Sequence, residues 1–425
     1  MNLELFIPEL SLAAIAIIVI LLDLVIQRKG WLVVVSIIGI VVSAGFTLAM
    51  WGGSAQAIFN NMLAVDNFAL FFKLLFLGIA TLVILSSVDY VSKFARFQGE
   101  YYALVLISTL GMMLMAATAE LISVYIALEL TSISLYVLVG FLKDAKSSEA
   151  SLKYLLLGAV ASAVLLYGMA LVFGFTGKTQ LGEIAQVIQT IPPQTLLASP
   201  ALILGIVLLI AGFGFKIAAI PFHMWVPDVY EGAPTPITAY LSVASKAAGF
   251  AIILRVFYSA FGLPQWLSLD WGLTIAVLAA IGMTLGNITA IPQANIKRML
   301  GYSSIAQAGY LMVGLATMGF SPVADTLGRS SVLFFLASYA LTNLGAFIFG
   351  HGQAGTATGF SFNPESYFPY WYASSRWLYG QVLYLQRCGA AQPAVAGSHC
   401  GNKQCNIRIL LSTGSQGNVA RRACL

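Results

Sequence analysis

GFGFKIAAIPFHMWVPDVYEGAPTP, residues 212–236, decides how the rest of the chain is read. It starts as the end of an apolar run of membrane-spanning length and carries Lys216 into that run. Prolines follow at positions 221, 227, 234 and 236. Proline has no backbone N–H, and its ring collides with the carbonyl four residues back. A helix that reaches Lys216 is therefore expected to break or unwind near Pro221. Non-helical backbone at membrane depth survives only where protein or a water-filled cavity satisfies the freed polar groups. Such breaks commonly line ion paths.

The composition agrees. Of 425 residues, 59% are hydrophobic and only 9% charged, with a mean hydropathy of +0.89. Soluble domains carry about 25% charged residues, so the class is an all-α polytopic membrane protein. Apolar runs of spanning length fall at 5–26, 31–51, 67–88, 101–118, 119–142, 150–176, 201–220, 235–259, 271–291, 299–318 and 330–349, which makes about eleven helices. Glu4 and Glu9 stand where a signal peptide has basic residues, and the first run is long enough to span. The expectation is a retained helix. With the N-terminus outside, the inner connections hold Arg28, Lys29, Lys93, Arg96, Lys143, Lys146, Lys297 and Arg298, against Lys178 and Arg329 outside. The positive-inside rule selects this orientation. The loop 177–200 is the longest between helices, and Pro192-Pro193 argues against helix there.

After residue 349 the character changes. Residues 350–425 hold ten glycines, all four cysteines and six basic residues against the single acid Glu365, which accounts for the whole net charge of +5. A basic balance confined to this tail is no sign of nucleic acid. The tail has no run of spanning length and is expected to be disordered or foreign to the rest. Cys388, Cys400 and Cys405 with His399 contain no CxxC pair, so no metal site is expected. Phosphate-binding and dinucleotide motifs are absent as well.

Chemistry is expected where charge is buried. A charged side chain at the centre of a membrane helix costs on the order of 3 kcal/mol. Glu129 lies about ten residues, or about 15 Å, into its run, among the hydroxyls of Thr131, Ser132 and Ser134. Lys246 is about eleven residues into its span, too central to snorkel easily. Lys216 stands just before the break. Lys153 is nearer a helix start, where snorkelling and function are equal readings. His223, between Pro221 and Pro227, is the one histidine before the tail, and an imidazole suits proton relay. Asp228 and Glu231 read as solvated or capping residues.

Several stretches carry a family resemblance. The run GFKIAAIPFHMWVPDVYEGAPTP from Gly214 to Pro236, followed by Ser245-Lys246-Ala247, closely resembles the signature of the antiporter-like membrane subunits of proton-pumping NADH:quinone oxidoreductases (respiratory complex I). LFIPEL at 5–10, ALELTS at 127–132, EASLKY at 149–154 and ANIKRMLGYSSIAQ at 294–307 agree. The DVYEGAP variant at 228–234 is similar to the N branch of that family rather than the L and M branches. The resemblance covers about residues 1–349. It implies a helical bundle of two inverted repeats, each with a broken helix, and about fourteen spans in full. The implied division is N-terminal helices over 1–100, a first antiporter-like repeat over 101–260, an incomplete second repeat over 261–349 and a non-matching, disordered or frameshifted tail over 350–425.

Carried over residue by residue, the family's buried glutamate falls on Glu129, its broken-helix lysine on Lys216 and its next-helix lysine on Lys246. Lys153 matches the lysine of the ASLKY stretch, and His223 matches the axis histidine. The implied activity is proton translocation in a bacterial inner membrane, driven by electron transfer from NADH to quinone in other subunits. No cofactor is expected in this chain; FMN, iron–sulfur clusters and quinone belong to partner membrane and peripheral subunits. Glu129 is expected to pair with Lys216 and keep it protonated. Withdrawing the carboxylate would leave a desolvated cation that gives up its proton. The alternatives are a subunit of a Mrp-type sodium/proton antiporter and a non-conducting structural spacer.

Overall fold

The structure, a computed structural model, describes residues 3–91, 97–192, 199–262, 265–317 and 322–351. The tail expected to be disordered or foreign lies outside the described residues from 352 onward, although the last helix runs on to His351. After a short 3-10 turn at Leu3–Phe6, the helices are α1 (Ile7–Val25), α2 (Gly30–Ala49), α3 (Asn67–Val91), α4 (Gln98–Ala117), α5 (Leu121–Val139), α6 (Ala145–Thr176) and α7 (Leu181–Thr190). They continue with α8 (Pro200–Ile217), α9 (Val226–Gly232), α10 (Thr235–Ala260), α11 (Gln265–Ala290), α12 (Ile296–Ala316) and α13 (Pro322–His351).

Each of the eleven expected runs contains one long helix. Ten of the described helices are long and apolar enough to cross a bilayer, and the chain is a multi-pass membrane protein. The remaining run forms α12, which is less apolar because it buries Ser304 and Gln307 against its neighbours. Helix caps follow local chemistry: Asp144 accepts from the Ser147 N–H at 2.7 Å to start α6, and Asn295 accepts from the Lys297 N–H at 2.9 Å to start α12.

With the side that holds the start of α1 called outer and the opposite side inner, two outer-side features depart from expectation. The loop 177–200 contains α7, where a proline-bearing coil was expected. The Pro pair begins only after Thr190, and Leu181, Ile184 and Ile188 recur at helical spacing and are buried. Residues Gln56–Ile58 and Leu63–Val65 form strands β1 and β2, an antiparallel hairpin that pairs Gln56 with Val65.

The break at Lys216 falls earlier than Pro221. Helix α8 ends at Ile217, the residue whose carbonyl the Pro221 ring would strike. Ala218 turns left-handed at φ 60°, and the Ala219 N–H bonds back to the Gly214 carbonyl at 2.8 Å. This satisfies carbonyls that the helix end frees. The chain then passes through a non-helical turn to the short α9 and re-enters the bundle as α10.

Helix α10 is itself irregular: Leu241–Ser245 is one turn of π-helix placed directly before Lys246. Single π turns inside α-helices often mark functional sites.

Two ion pairs join helices at the outer ends. Lys73 of α3 meets Glu9 of α1 at 2.6 Å, with both side chains only 1% exposed. Arg255 of α10 grips Asp66, just before α3, at 2.5 and 2.9 Å, and also donates to the Ala116 carbonyl at 2.8 Å. Burial pushes the Asp66 carboxyl up, but Arg255 outweighs it and holds the group below its usual range.

Removing one partner of a buried pair strands the other charge, at a cost of about 3–5 kcal/mol. Lys73→Met is therefore expected to lower the chemical-denaturation stability of the detergent-purified chain by that order. Adding Glu9→Gln should recover much of the loss. A single variant as stable as wild type would show that the pair does not hold α1 to α3.

Candidate functional site: a buried line of charge

The break places Lys216 at the inner end of α8, 5% exposed, where its ammonium donates to Ser132 Oγ of α5 at 2.9 Å. Glu129 lies one turn before Ser132 on α5, and its carboxylate accepts a short hydrogen bond from Ser162 of α6. Glu129 and Lys216 do not form an ion pair. This corrects the expected direct pairing: each charge takes a hydroxyl on a neighbouring helix. The two hydroxyls, Ser132 and Ser162, line one small cavity together with Lys216, Tyr136 and Tyr154.

That cavity has an aromatic wall. Tyr154 stacks on Trp225 with centroids 4.5 Å apart and planes 14° from parallel, and meets Tyr136 edge-on at 4.6 Å. The Tyr136 hydroxyl reaches over Gly158, where a Cβ would lie 2.0 Å from it. Trp225 is fixed by its indole N–H, which donates to the Phe215 carbonyl at 3.2 Å. The stack therefore ties the turn after the break to α5 and α6.

Lys246, 2% exposed, is the second buried cation. It donates to the carbonyl of Ser304 on α12 and to Ser304 Oγ at 2.5 Å. Its ammonium lies 5.8 Å from the centre of the Tyr339 ring of α13. Tyr230 of α9 shares the Ser304 hydroxyl at 3.2 Å. The helices of the two lysines approach at Gly249, where a Cβ would lie 2.7 Å from Ile217 Cγ2 and 3.4 Å from Lys216 Cγ. Neither Lys216 nor Lys246 has a carboxylate within ion-pair distance among the described residues.

Lys153 is elsewhere. Its side chain is 44% exposed and pairs with Glu149 at 2.8 Å and Asp228 at 2.9 Å. Asp228 also binds Arg298 at 2.8 Å, and Glu231 binds Arg298 at 3.1 Å and Lys146 at 3.0 Å. Asp228 and Glu231 are thus the hubs of an inner-side ion cluster joining α6, α9 and α12, more than the solvated or capping residues expected. The Lys153 ammonium first, then Arg298, hold the Asp228 carboxyl below its usual range; Lys146 and Arg298 do the same for Glu231. His223 lies half-buried in the turn between α8 and α9, and its Nδ1 is buried without a hydrogen-bond partner. The structure thus buries Lys216 and Lys246 inside the bundle, leaves Glu129 half-buried on α5, and places Lys153 in the inner cluster and His223 in the turn.

The buried Glu9–Lys73 pair was passed over in the sequence. The signal was there: Lys73 interrupts the apolar run 67–88, and Glu9 interrupts 5–26. Among the described residues, no three His, Cys, Asp or Glu side chains gather as a metal site.

A broken helix that ends on a buried lysine, beside a carboxylate-bearing helix and a second lysine on the re-entering helix, defines an antiporter-like membrane subunit. The comparisons agree. Residues 118–358 match the family model described as NADH:quinone oxidoreductase/Mrp antiporter, TM. NADH-quinone oxidoreductase subunit N of Dehalococcoides mccartyi is 54% identical over 348 residues, covering 81% of this chain and 71% of that protein. The subunit N of Trichlorobacter lovleyi is 46% identical, covering 81% and 69%. The chain belongs to the NADH-quinone oxidoreductase subunit N family.

Among solved structures, respiratory complex I from Thermus thermophilus with bound aureothin matches with a TM-score of 0.65 and 34% identity, covering 80% of this chain and 69% of that one. The Mrp complex from Dietzia sp. DQ12-45-1b shares the fold alone, at 20% identity and a TM-score of 0.67, over 82% of this chain and 64% of that one.

The inner cluster makes a pH prediction. A carboxyl held below its unfolded value contributes stability that is present above that value and lost as pH falls through the folded one. Acidifying the purified chain below about pH 4 should therefore erode its thermal stability. The double variant Asp228→Asn/Glu231→Gln should be less stable at neutral pH and flatter through the acid window. A double variant that loses as much stability on acidification as wild type would remove the cluster from the account.

Proposed function

We infer that this chain is a proton-translocating membrane subunit of an NADH:quinone oxidoreductase in a bacterial inner membrane. Electron transfer from NADH to quinone in other subunits drives it. The observation that carries this reading is the pair of fully buried lysines, Lys216 and Lys246, each held only by hydroxyl or carbonyl oxygens. A cation kept inside the membrane without an ion-pair partner is costly and gains nothing for packing. It serves where protonation must change.

In this reading, the arrangement with Glu129 on Ser162 is the disengaged state. Moving the carboxylate into the shared cavity toward Lys216 stabilises the ammonium, and returning it to Ser162 releases the proton toward Lys246. Ser304 and the Tyr230 hydroxyl take the charge onward from Lys246. His223 relays along the same axis from the turn, and Lys153 with Asp228 supplies the inner entrance. Transport against 100 mV needs about 2.3 kcal/mol per charge, comparable with a change of about two pH units in proton affinity. The switch is energetically sufficient.

The chain contributes no redox centre in this account: FMN, iron–sulfur clusters and quinone are held by partner membrane and peripheral subunits. Residues 101–260 form the first antiporter-like repeat behind the N-terminal helices 1–100, and 261–349 open the second.

The test is the proton-to-electron ratio of the assembled complex in proteoliposomes. Lys216→Met and Glu129→Ala should each lower it while the peripheral subunits still oxidise NADH with an artificial acceptor. An unchanged ratio in a fully assembled variant complex would favour the structural-spacer reading. Co-purification with small antiporter subunits, in place of iron–sulfur subunits, would favour the sodium/proton antiporter.

A further inference from the structure

Away from the line of charge, α1, α4 and α5 leave a cavity of about 390 Å³ at their inner ends. Its polar lining is confined to one end. Glu100 lies in the first turn of α4, and Lys143 lies just past the end of α5, so both stand at the level of the helix termini. Ile107 lies two turns further along α4, about 10 Å deeper at 1.5 Å per residue. With Ile20 of α1 and Val137 of α5 it makes the rest of the wall apolar. A polar mouth at the interface over an apolar shaft matches the profile of one lipid molecule.

The two charges at the mouth do not neutralise each other. No ion pair joins Glu100 to Lys143, and Glu100 Oε2 is buried without a hydrogen-bond partner. The residue is half-buried, and a carboxylate with one oxygen covered and unpartnered is a place where a cation is favoured. Lys143 is exposed, and its ammonium lies 4.5 Å from the centre of the Phe97 ring. Three N–H donors remain free to meet a phosphate. The site thus offers one carboxylate and one ammonium to a single occupant.

We propose that this cavity binds a zwitterionic phospholipid whose headgroup ends in a primary ammonium, with its phosphate on Lys143, its ammonium on Glu100 and one acyl chain entering between Ile20, Ile107 and Val137. An anionic glycerol headgroup would satisfy Lys143 and leave Glu100 unpaired. A choline headgroup has no N–H to give the carboxylate.

Native mass spectrometry of the detergent-purified full chain tests this, with phosphatidylethanolamine, phosphatidylcholine and phosphatidylglycerol of identical acyl chains as probes. Wild type should retain the ethanolamine lipid about tenfold better than either other lipid. Glu100→Gln should abolish the preference over the choline lipid, and Lys143→Met should weaken retention of all three. Ile107→Trp, which fills the shaft and leaves the headgroup residues in place, should displace the lipid from a chain whose thermal unfolding shows it folded. Equal retention of the three lipids by wild type would overturn the proposal without reliance on any variant. So would an ethanolamine preference that survives Glu100→Gln. In the assembled complex, a photo-crosslinker at position 143 should label lipid; labelling of another subunit would assign the cavity to a protein partner instead.

Discussion

The proline ring at 221 and a helical carbonyl at Ile217 cannot occupy the same space, and the inner half of this protein is arranged around that collision. Helix α8 must stop at Ile217. Ala218 takes the left-handed turn, and the amides of Ala218 and Ala219 cap the last carbonyls. Lys216 is left at a helix end inside the bundle, and the chain is free to form α9. That short helix carries Asp228 and Glu231 to Lys153, Lys146 and Arg298. The same turn delivers Trp225 to the face of Tyr154. Without the break, a continuous helix would carry neither the aromatic wall nor the inner ion cluster back to α6.

Charge inside this bundle falls into two kinds. Glu9 with Lys73 and Asp66 with Arg255 are matched pairs that bind α1, α3 and α10 near their outer ends. Coulomb attraction and hydrogen bonds there offset the desolvation of each partner. Lys216 and Lys246 are different: their nearest polar partners are Ser132 and Ser304. A hydroxyl or carbonyl accepts from an ammonium but does not cancel its charge. The first kind is a set of fasteners, and the second is the pair of sites on which the proposed proton switch rests. Gly249 keeps the helices of the two lysines close, since any side chain there would press on Ile217 and the stem of Lys216.

Legibility in the sequence varied with the length scale of the cause. The eleven apolar runs were plain because a bilayer demands about twenty apolar residues in each helix. The break was plain because proline acts on its own neighbours. The hairpin at 56–65 and the outer helix α7 were not, since three-residue strands and a ten-residue helix give weak periodic signals in a chain that is apolar almost throughout. Glu129, Lys216 and Lys246 stood out as charges in apolar runs. Their partners did not: Ser162 lies 33 residues from Glu129, and Ser132 lies 84 from Lys216.

By itself, then, the amino-acid sequence determined the membrane class, the approximate spans, the broken helix and the burial of Lys216 and Lys246. Each follows from interactions within one helix length: hydropathy, proline sterics and the cost of a charge in hydrocarbon. Only the tertiary structure decided that Glu129 rests on Ser162 rather than Lys216, that Lys153 belongs to the inner ion cluster and that Lys73 is neutralised by Glu9. Those outcomes depend on which helix faces meet. Residues as far apart as Asp66 and Arg255, 189 positions along the chain, become neighbours only when the bundle closes.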